Sequence, residues 1–279
     1  MVILVRYAEI GIKGRNRERF ERVLVQNIEL CLKRHNIPHS VRRLFGRILI
    51  ETGNHCAALR RVFGIASFSR AVPAGKTIDD AFAATKKQVE QLAETDSFRV
   101  TCRRSDKNFP LTSQEVCVRL GAKLGAVTKA KVKMQNPTVN IELEIIGNTI
   151  YVLADRTEGP GGMPVGSQGS VLALIENDAS VLAALLVMKR GCTVVPVVLQ
   201  DAGLSLLEAF APSPLAPEKS RDVDALLAKH KARAAVVNDT LDNQRQVSLN
   251  ALLLRPLSGM NAEDVQNERK QFDRMLDSD

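Results

Sequence analysis

The sequence predicts a multidomain chain of mixed class, α+β over residues 1–158 and α/β over residues 170–279. Three observations predict it. Short alternating strands and amphipathic helices interleave irregularly up to a hairpin near Leu153, and a Gly/Pro-dense stretch, Glu158–Gly169 (EGPGGMPVGSQG), follows. Beyond it, continuous apolar strands alternate with helices, the rhythm of a doubly wound parallel sheet. With 279 residues, 45% of them apolar, the chain has material for two or three cores.

The elements follow in order. Val2–Arg6 alternates as a strand and runs into a turn over Gly11–Gly14. From Arg15, the spacing of Phe20, Val23, Leu24, Ile28, Cys31 and Leu32 predicts a helix that stops before Asn36 and Pro38. Phe45–Glu51 (FGRILIE) reads as a second strand and Ala57–Phe63 as a short helix, which closes a unit over residues 1–75. In the next unit, 76–158, Ile78–Glu94 reads as a helix with Asp79 and Asp80 in its first turn. Phe98–Arg103 reads as a strand, and Ser113 as the N-cap of a helix through Leu124, with Glu115 in its first turn. Val139–Ile145 and Thr149–Leu153 pair as a hairpin turning on Gly147–Asn148. Residues 159–169 read as a linker, because Pro160 and Pro164 remove backbone donors that a dinucleotide loop would need. Beyond residue 170, Val171–Leu174, Cys192–Leu199 and Ala234–Val237 are buried strands, with Asp178–Arg190 and Asp222–Lys231 as helices. A ligand site in such a sheet lies past the C-terminal ends of the strands.

Charge points to a partner. The net charge is +8, but residues 1–70 hold 14 Lys/Arg against 5 Asp/Glu, while residues 171–279 are mildly acidic. That asymmetry favours a polyanion at the N-terminal part. Lys13, Arg15, Arg17 and Arg19 cluster at a turn and helix start, where phosphates can meet both cations and free helix amides. Arg99, Arg103, Arg104 and Lys107 form a second cluster on and after a strand. Phe109 is a candidate for base stacking, although Phe109–Pro110 reads better as packing. Cys31, Cys56, Cys102, Cys117 and Cys192 contain no C-x-x-C pair and read as reduced thiols. His35, His39, His55 and His230 lack ligand spacing, so no metal site is expected. No run approaches about 18 apolar residues, and the N-terminus starts as a strand without a basic n-region, so the expectation is a cytoplasmic protein with no membrane partner.

Several stretches carry a family resemblance. Arg6–Ile28 (RYAEIGIKGRNRERFERVLVQNI) resembles the opening of tRNA 4-thiouridine synthetases, the ThiI sulfurtransferase family. Phe98–Leu124 (FRVTCRRSDKNFPLTSQEVCVRLGAKL) looks like the core of a THUMP domain, an RNA-binding module of tRNA-modifying enzymes. Gly159–Gly166 (GPGGMPVG), Met188–Gly191 (MKRG) and Leu254–Met260 (LRPLSGM) are similar to that family's linker, PP-loop helix end and C-terminal segment. The resemblance implies an N-terminal ferredoxin-like domain (1–75), a THUMP domain (76–158), the linker, and a truncated, doubly wound parallel-sheet PP-loop ATPase-like domain (170–279). It implies tRNA as partner, held at the acceptor-stem end by the two basic clusters, and ATP with Mg²⁺ as cofactors.

The chain departs from the family at the phosphate loop. Where relatives carry S-G-G-[IF]-D-S-P, this sequence has Ile175–Val181 (IENDASV). Both glycines are gone, only Ser180 matches, and Glu176 and Asp178 put negative charge where ATP phosphates belong. Asn177 and Ser180 remain as the nucleotide-binding candidates of a degenerate loop, because a helix N-terminus still stands there. Residues 201–233 hold no cysteine where active relatives carry a cysteine segment, and Cys192 sits on an apolar strand as core. No rhodanese-like domain is expected. The sequence therefore supports a tRNA-binding family member with lost or much weakened adenylation, working as a homodimer or beside a partner modification enzyme. The alternative is an active ATP-dependent tRNA sulfurtransferase of the 4-thiouridine or thiamine pathway with an external sulfur donor. A THUMP methyltransferase is disfavoured, since no Gly-rich loop follows a strand as a methyl-donor site requires.

Overall fold

A computed structural model describes the chain apart from Met1, Ala8, His55, Asp106, Lys107, Asp201 and residues 245–250 and 277–279. The proposed phosphate contact Lys107, and His55, lie outside the described residues. In chain order the first elements are β1 (Val2–Arg6), α1 (Arg17–Arg34), β2 (Ser40–Leu44), β3 (Arg47–Glu51) and β4 (Ser67–Gly75). Then come α2 (Ile78–Glu90), β5 (Ser97–Arg104), α3 (Ser113–Gly125), β6 (Lys131–Val132), β7 (Val139–Ile146) and β8 (Thr149–Glu158). The last part holds β9 (Ser170–Ile175), α4 (Asp178–Lys189), β10 (Thr193–Val198), α5 (Ser205–Phe210), α6 (Val223–His230), β11 (Ala234–Val236), β12 (Leu252–Leu254) and α7 (Ala262–Leu276).

These elements assemble into two compact units, each drawn from separate stretches. One comprises Met1–Arg6, His39–Asn54 and Phe68–Thr157; the other comprises Tyr7–Pro38, His55–Ser67 and Glu158–Asp279. In the first unit, one continuous eight-stranded sheet runs β2-β3-β1-β4-β8-β7-β5-β6. Phe98, Val100, Ile141, Leu143 and Ile145 of the sheet pack with Val116, Leu120 and Leu124 of α3 and Ala81 and Val89 of α2. Both helices begin with a capping box, Thr77 with Asp80 and Thr112 with Glu115. The expected cap at Ser113 therefore moves to Thr112, whose backbone amide is 2.7 Å from the Glu115 carboxylate that reaches back to it. Phe109 is buried in this core, which confirms packing over stacking.

The strand expected over Phe45–Glu51 starts late. Phe45 and Gly46 form the two-residue turn of a hairpin, with Leu44 opposite Arg47 and Gly46 at φ +73°. Its first strand, β2 (SVRRL), escaped the pattern because an exposed edge strand can carry arginines in place of apolar residues. The short helix expected over Ala57–Phe63 is a 3₁₀ turn, Ala57–Arg61, and the helix expected to reach Glu94 stops at Glu90.

At the centre of the first unit sits a buried charge group. Arg6 donates Nε to Glu144 Oε2 at 3.1 Å and Nη1 to Ser69 Oγ at 3.0 Å, and Arg47 pairs with the other Glu144 oxygen. Glu144 is 1% exposed, so two guanidinium groups supply the compensation its burial requires.

In the second unit, a parallel sheet runs β10-β9-β11-β12, as the alternation of strands and helices predicts. Helix α4 (DASVLAALLVMK) is apolar nearly all round because it is buried on most of its circumference. Phe63, from the N-terminal stretch, stacks on Phe210 at 5.2 Å, and Phe272 meets both edge-on. Residues 159–169 are tied down by main-chain bonds to segments on either side: Gly64 N to Gly161 O, Met163 N to Lys189 O, and Gly166 N to Gly191 O. Gly162 (φ +74°) lies so close to the end of α4 that a Cβ would stand 2.3 Å from Lys189 O. These glycines serve backbone packing.

Candidate nucleic-acid interface and phosphate loop

The N-terminal basic cluster lies in the second unit, on a 3₁₀ turn (Gly14–Asn16) that leads into α1. Its members separate by role. Arg15 and Arg19 are exposed and open to phosphate. Lys13 stands with Nζ 5.5 Å from the Phe20 ring centroid, half-buried but with its charge at the surface. Arg17 is withdrawn: its Nε meets Glu21 Oε1 at 2.7 Å and its Nη2 donates to the Tyr7 hydroxyl at 2.9 Å. Burial first, and the Glu21 contact second, push the Tyr7 phenol up to about 12. Asn16 gives α1 no side-chain cap, and the first amide of that 18-residue helix, Arg17 N, donates to Gly14 O of the 3₁₀ turn.

The second cluster lies in the first unit, on and after β5. Arg103 is exposed. Arg99 and Arg104 are half-buried and already engaged. Arg99 donates Nε to Asn140 Oδ1 at 3.2 Å and Nη1 to Met134 O at 2.7 Å. Arg104 donates Nη1 to Phe109 O and Leu111 O, pinning the loop that precedes α3. Arg99 and Arg104, both expected from the sequence to meet RNA, thus already have hydrogen-bond partners within the fold.

The loop after β9 stands at the topological switch point between β9 and β11, where doubly wound sheets bind ligands. Here it is closed on itself. Ser180 is 2% exposed, and its Oγ accepts from the amides of Glu176 (2.9 Å) and Asn177 (3.0 Å). Asn177 Oδ1 accepts from Ser180 N at 3.1 Å and from Asn238 Nδ2 at 3.0 Å, which links the loop to the segment after β11. Arg269 reaches Asp178 at 3.0 Å, and Asp239, 1% exposed, is held by Arg255 Nε at 2.7 Å. Asn177 and Ser180 are together as expected, but they cap a helix with the donors a phosphate would use. These residues do not fit an ATP phosphate.

Burial raises the Cys102 thiol to about 12 and raises Cys117 and Cys192 as well. Among the described residues, no group of three or more His, Cys, Asp or Glu could hold a metal ion, and no helix is long and apolar enough to cross a membrane.

Residues 2–69 match the ThiI ferredoxin-like domain and residues 75–155 the THUMP domain. The chain is 35% identical over 207 residues to the probable tRNA sulfurtransferase of Thermococcus kodakarensis, covering 70% of this chain and 54% of that one. The chain belongs to the ThiI-like family. The ThiI-like match extends to 243 residues, 35% identical, with the probable tRNA sulfurtransferase of Methanothermobacter thermautotrophicus, covering 83% of this chain and 59% of the relative. This ThiI-like chain thus spans little more than half the length of these curated relatives. Its fold matches that of PH1313 from Pyrococcus horikoshii Ot3 with a TM-score of 0.84 at 26% identity, covering 98% and 99% of the two chains. It also matches a 4-thiouridine synthetase solved as an RNA complex with bound ATP, with a TM-score of 0.75 at 22% identity, covering 97% of this chain and 84% of that one. The N-terminal ferredoxin-like domain, the THUMP domain and the parallel-sheet domain expected of a ThiI-like chain are all present.

Residues that the sequence reading missed are Asn238 and Arg269, which reach the loop from distant segments, and the Asp239–Arg255 pair next to Asn238. Lys129, Lys131 and Lys133 were missed as well. They had a visible signal: from Val116 to Ile141 the sequence holds five Lys/Arg and no Asp or Glu.

Proposed function

We propose that this chain is a tRNA-binding protein whose adenylation chemistry is lost or much weakened. The observation that carries the second half is the closed loop: Ser180 Oγ and Asn177 Oδ1 take up the amides of Glu176, Asn177 and Ser180. A phosphate would have to break that capping box and face Glu176 and Asp178 without glycines to bring the backbone close. The first half is supported by the THUMP match, by relatives named tRNA sulfurtransferases, and by the exposed cations Arg15, Arg19 and Arg103. Such contacts hold a folded RNA by backbone and shape. In this reading the protein acts in the cytoplasm, grips the acceptor-stem end of tRNA and presents it to a partner modification enzyme.

The test is AMP release from ATP and Mg²⁺, with and without unmodified tRNA. No AMP, together with salt-sensitive tRNA binding, is the expected result. AMP formed only when tRNA is present would overturn the loss of adenylation.

A further inference from the structure

The lysines missed in the sequence occupy the open edge of the eight-stranded sheet. β6 pairs in parallel with β5, Lys131 opposite Ser97 and Val132 opposite Phe98, and Lys133 N continues the ladder to Phe98 O at 3.0 Å. Paired residues in register point to the same face. Phe98 faces α2 and α3, so Lys131 and Lys133 project on the other face, with Ser97, Arg99, Thr101 and Arg103. Lys129 stands in the bend just before β6 and is exposed, beside Ala130, which is buried in the helix-side core.

This row is held in place and uncompensated. Arg99 Nη1 bonds to Met134 O at 2.7 Å and so fixes the backbone just past the lysines. Residues 131–136 are all exposed, and Lys129, Lys131, Lys133 and Arg103 have no ion-pair partner among the described residues. On the same face, Glu142 is half-buried, and Glu144 is already bound by Arg6 and Arg47.

We propose that Lys129, Lys131 and Lys133 form a phosphate-contact row for RNA that extends the face of Arg103 across the sheet edge. Lysines on an edge strand also serve to block strand pairing with other chains. What favours RNA is that Lys131 and Lys133 share the face of exposed Arg103, with exposed Lys129 next to them, in a run of sequence free of acids. The inference rests on the tRNA-binding reading above, with Arg99 as a positioning residue for the row.

The test is the full chain carrying K129A, K131A and K133A, with its binding to unmodified tRNA followed over a salt series. A second variant, K13A with R15A and R19A, is measured in parallel. All three edge lysines are exposed, so the first variant is expected to fold as the parent does. Loss of three phosphate contacts flattens the slope of log K against log salt by roughly 2 to 3, and weakens affinity accordingly. An unchanged slope in the edge variant, with binding lost in the second variant, overturns the row and leaves the RNA reading intact. No binding by the parent chain overturns both. Unchanged tRNA binding with new self-association of the edge variant assigns the lysines to edge protection and also overturns the proposal.

Discussion

Single residues divide here by whether their polar atoms already have partners. Arg15, Arg19 and Arg103 are exposed cations, while Arg17, Arg99 and Arg104 spend their guanidinium groups on neighbouring carboxylates, hydroxyls and carbonyls. The thiols follow the same logic. Thiolate is the nucleophile, and burial lifts Cys102 from 9.0 to about 12, so the thiolate fraction at mildly alkaline pH falls on the order of a hundredfold or more. Cys117 and Cys192 shift in the same direction. Site-resolved alkylation with iodoacetamide at about pH 8 should therefore be far slower at these three positions in the native protein than in urea. A Cys192 that reacts at its unfolded rate would reopen it as a sulfur carrier.

At the scale of elements, α2, α3 and α4 start with reciprocal caps, as does α7 through Asn261 and Asp264, and the caps differ in chemistry. Asp80 caps α2, its carboxyl held below the usual range first by the Thr77 hydrogen bond. Glu115 caps α3, its carboxyl lowered first by the Thr112 backbone amide. A carboxyl with a depressed folded pKa stabilises the folded state fully above its unfolded value, and the contribution disappears as pH falls through the folded value. The caps of α2 and α3 should therefore weaken below the ordinary values of 3.8 and 4.5. The α4 cap uses Asn177 and Ser180 and has nothing to titrate. Helical signal followed by circular dichroism should fall over that acid range, and a D80N, E115Q variant should lose part of that dependence. An identical acid profile in the variant would show that the caps do not govern it.

For the whole molecule, assembly cuts across sequence order. Strands β1–β3 join the THUMP strands in one sheet, while α1 and residues 55–67 belong to the unit built on the parallel sheet. Phe63 shows the consequence. It is 1% exposed in a core otherwise drawn almost entirely from residues 165–276. Phe63→Ala should cost about 3 to 5 kcal/mol, read as a lowered midpoint of chemical unfolding reported by that unit. A loss below about 1 kcal/mol would mean that the N-terminal stretch only rests on that core. A cut at residue 75 would divide both units, because each holds chain from both sides of it, and a cut at residue 169 would divide the second.

Much of this was legible in the sequence. Amphipathic periodicity placed α1, α2 and α3, alternation and a Gly-Asn turn placed the β7–β8 hairpin, and apolar runs placed β9, β10 and β11, because each pattern is local. The lost glycines of the phosphate loop were equally plain in Ile175–Val181. The rest depended on contacts between residues far apart in the chain. β2 carries arginines because its edge is solvated, and β12 is a three-residue strand with Leu252 exposed, so neither showed a pattern. Whether an arginine is free or clamped, and whether Ser180 faces a ligand or its own backbone, depends on which acceptors the fold brings within about 3 Å. The sequence by itself determined most of the elements and the family. Only the tertiary structure decided which charges remain available, because hydrogen-bond partners are chosen by proximity in space and burial raises the cost of leaving any of them unmade.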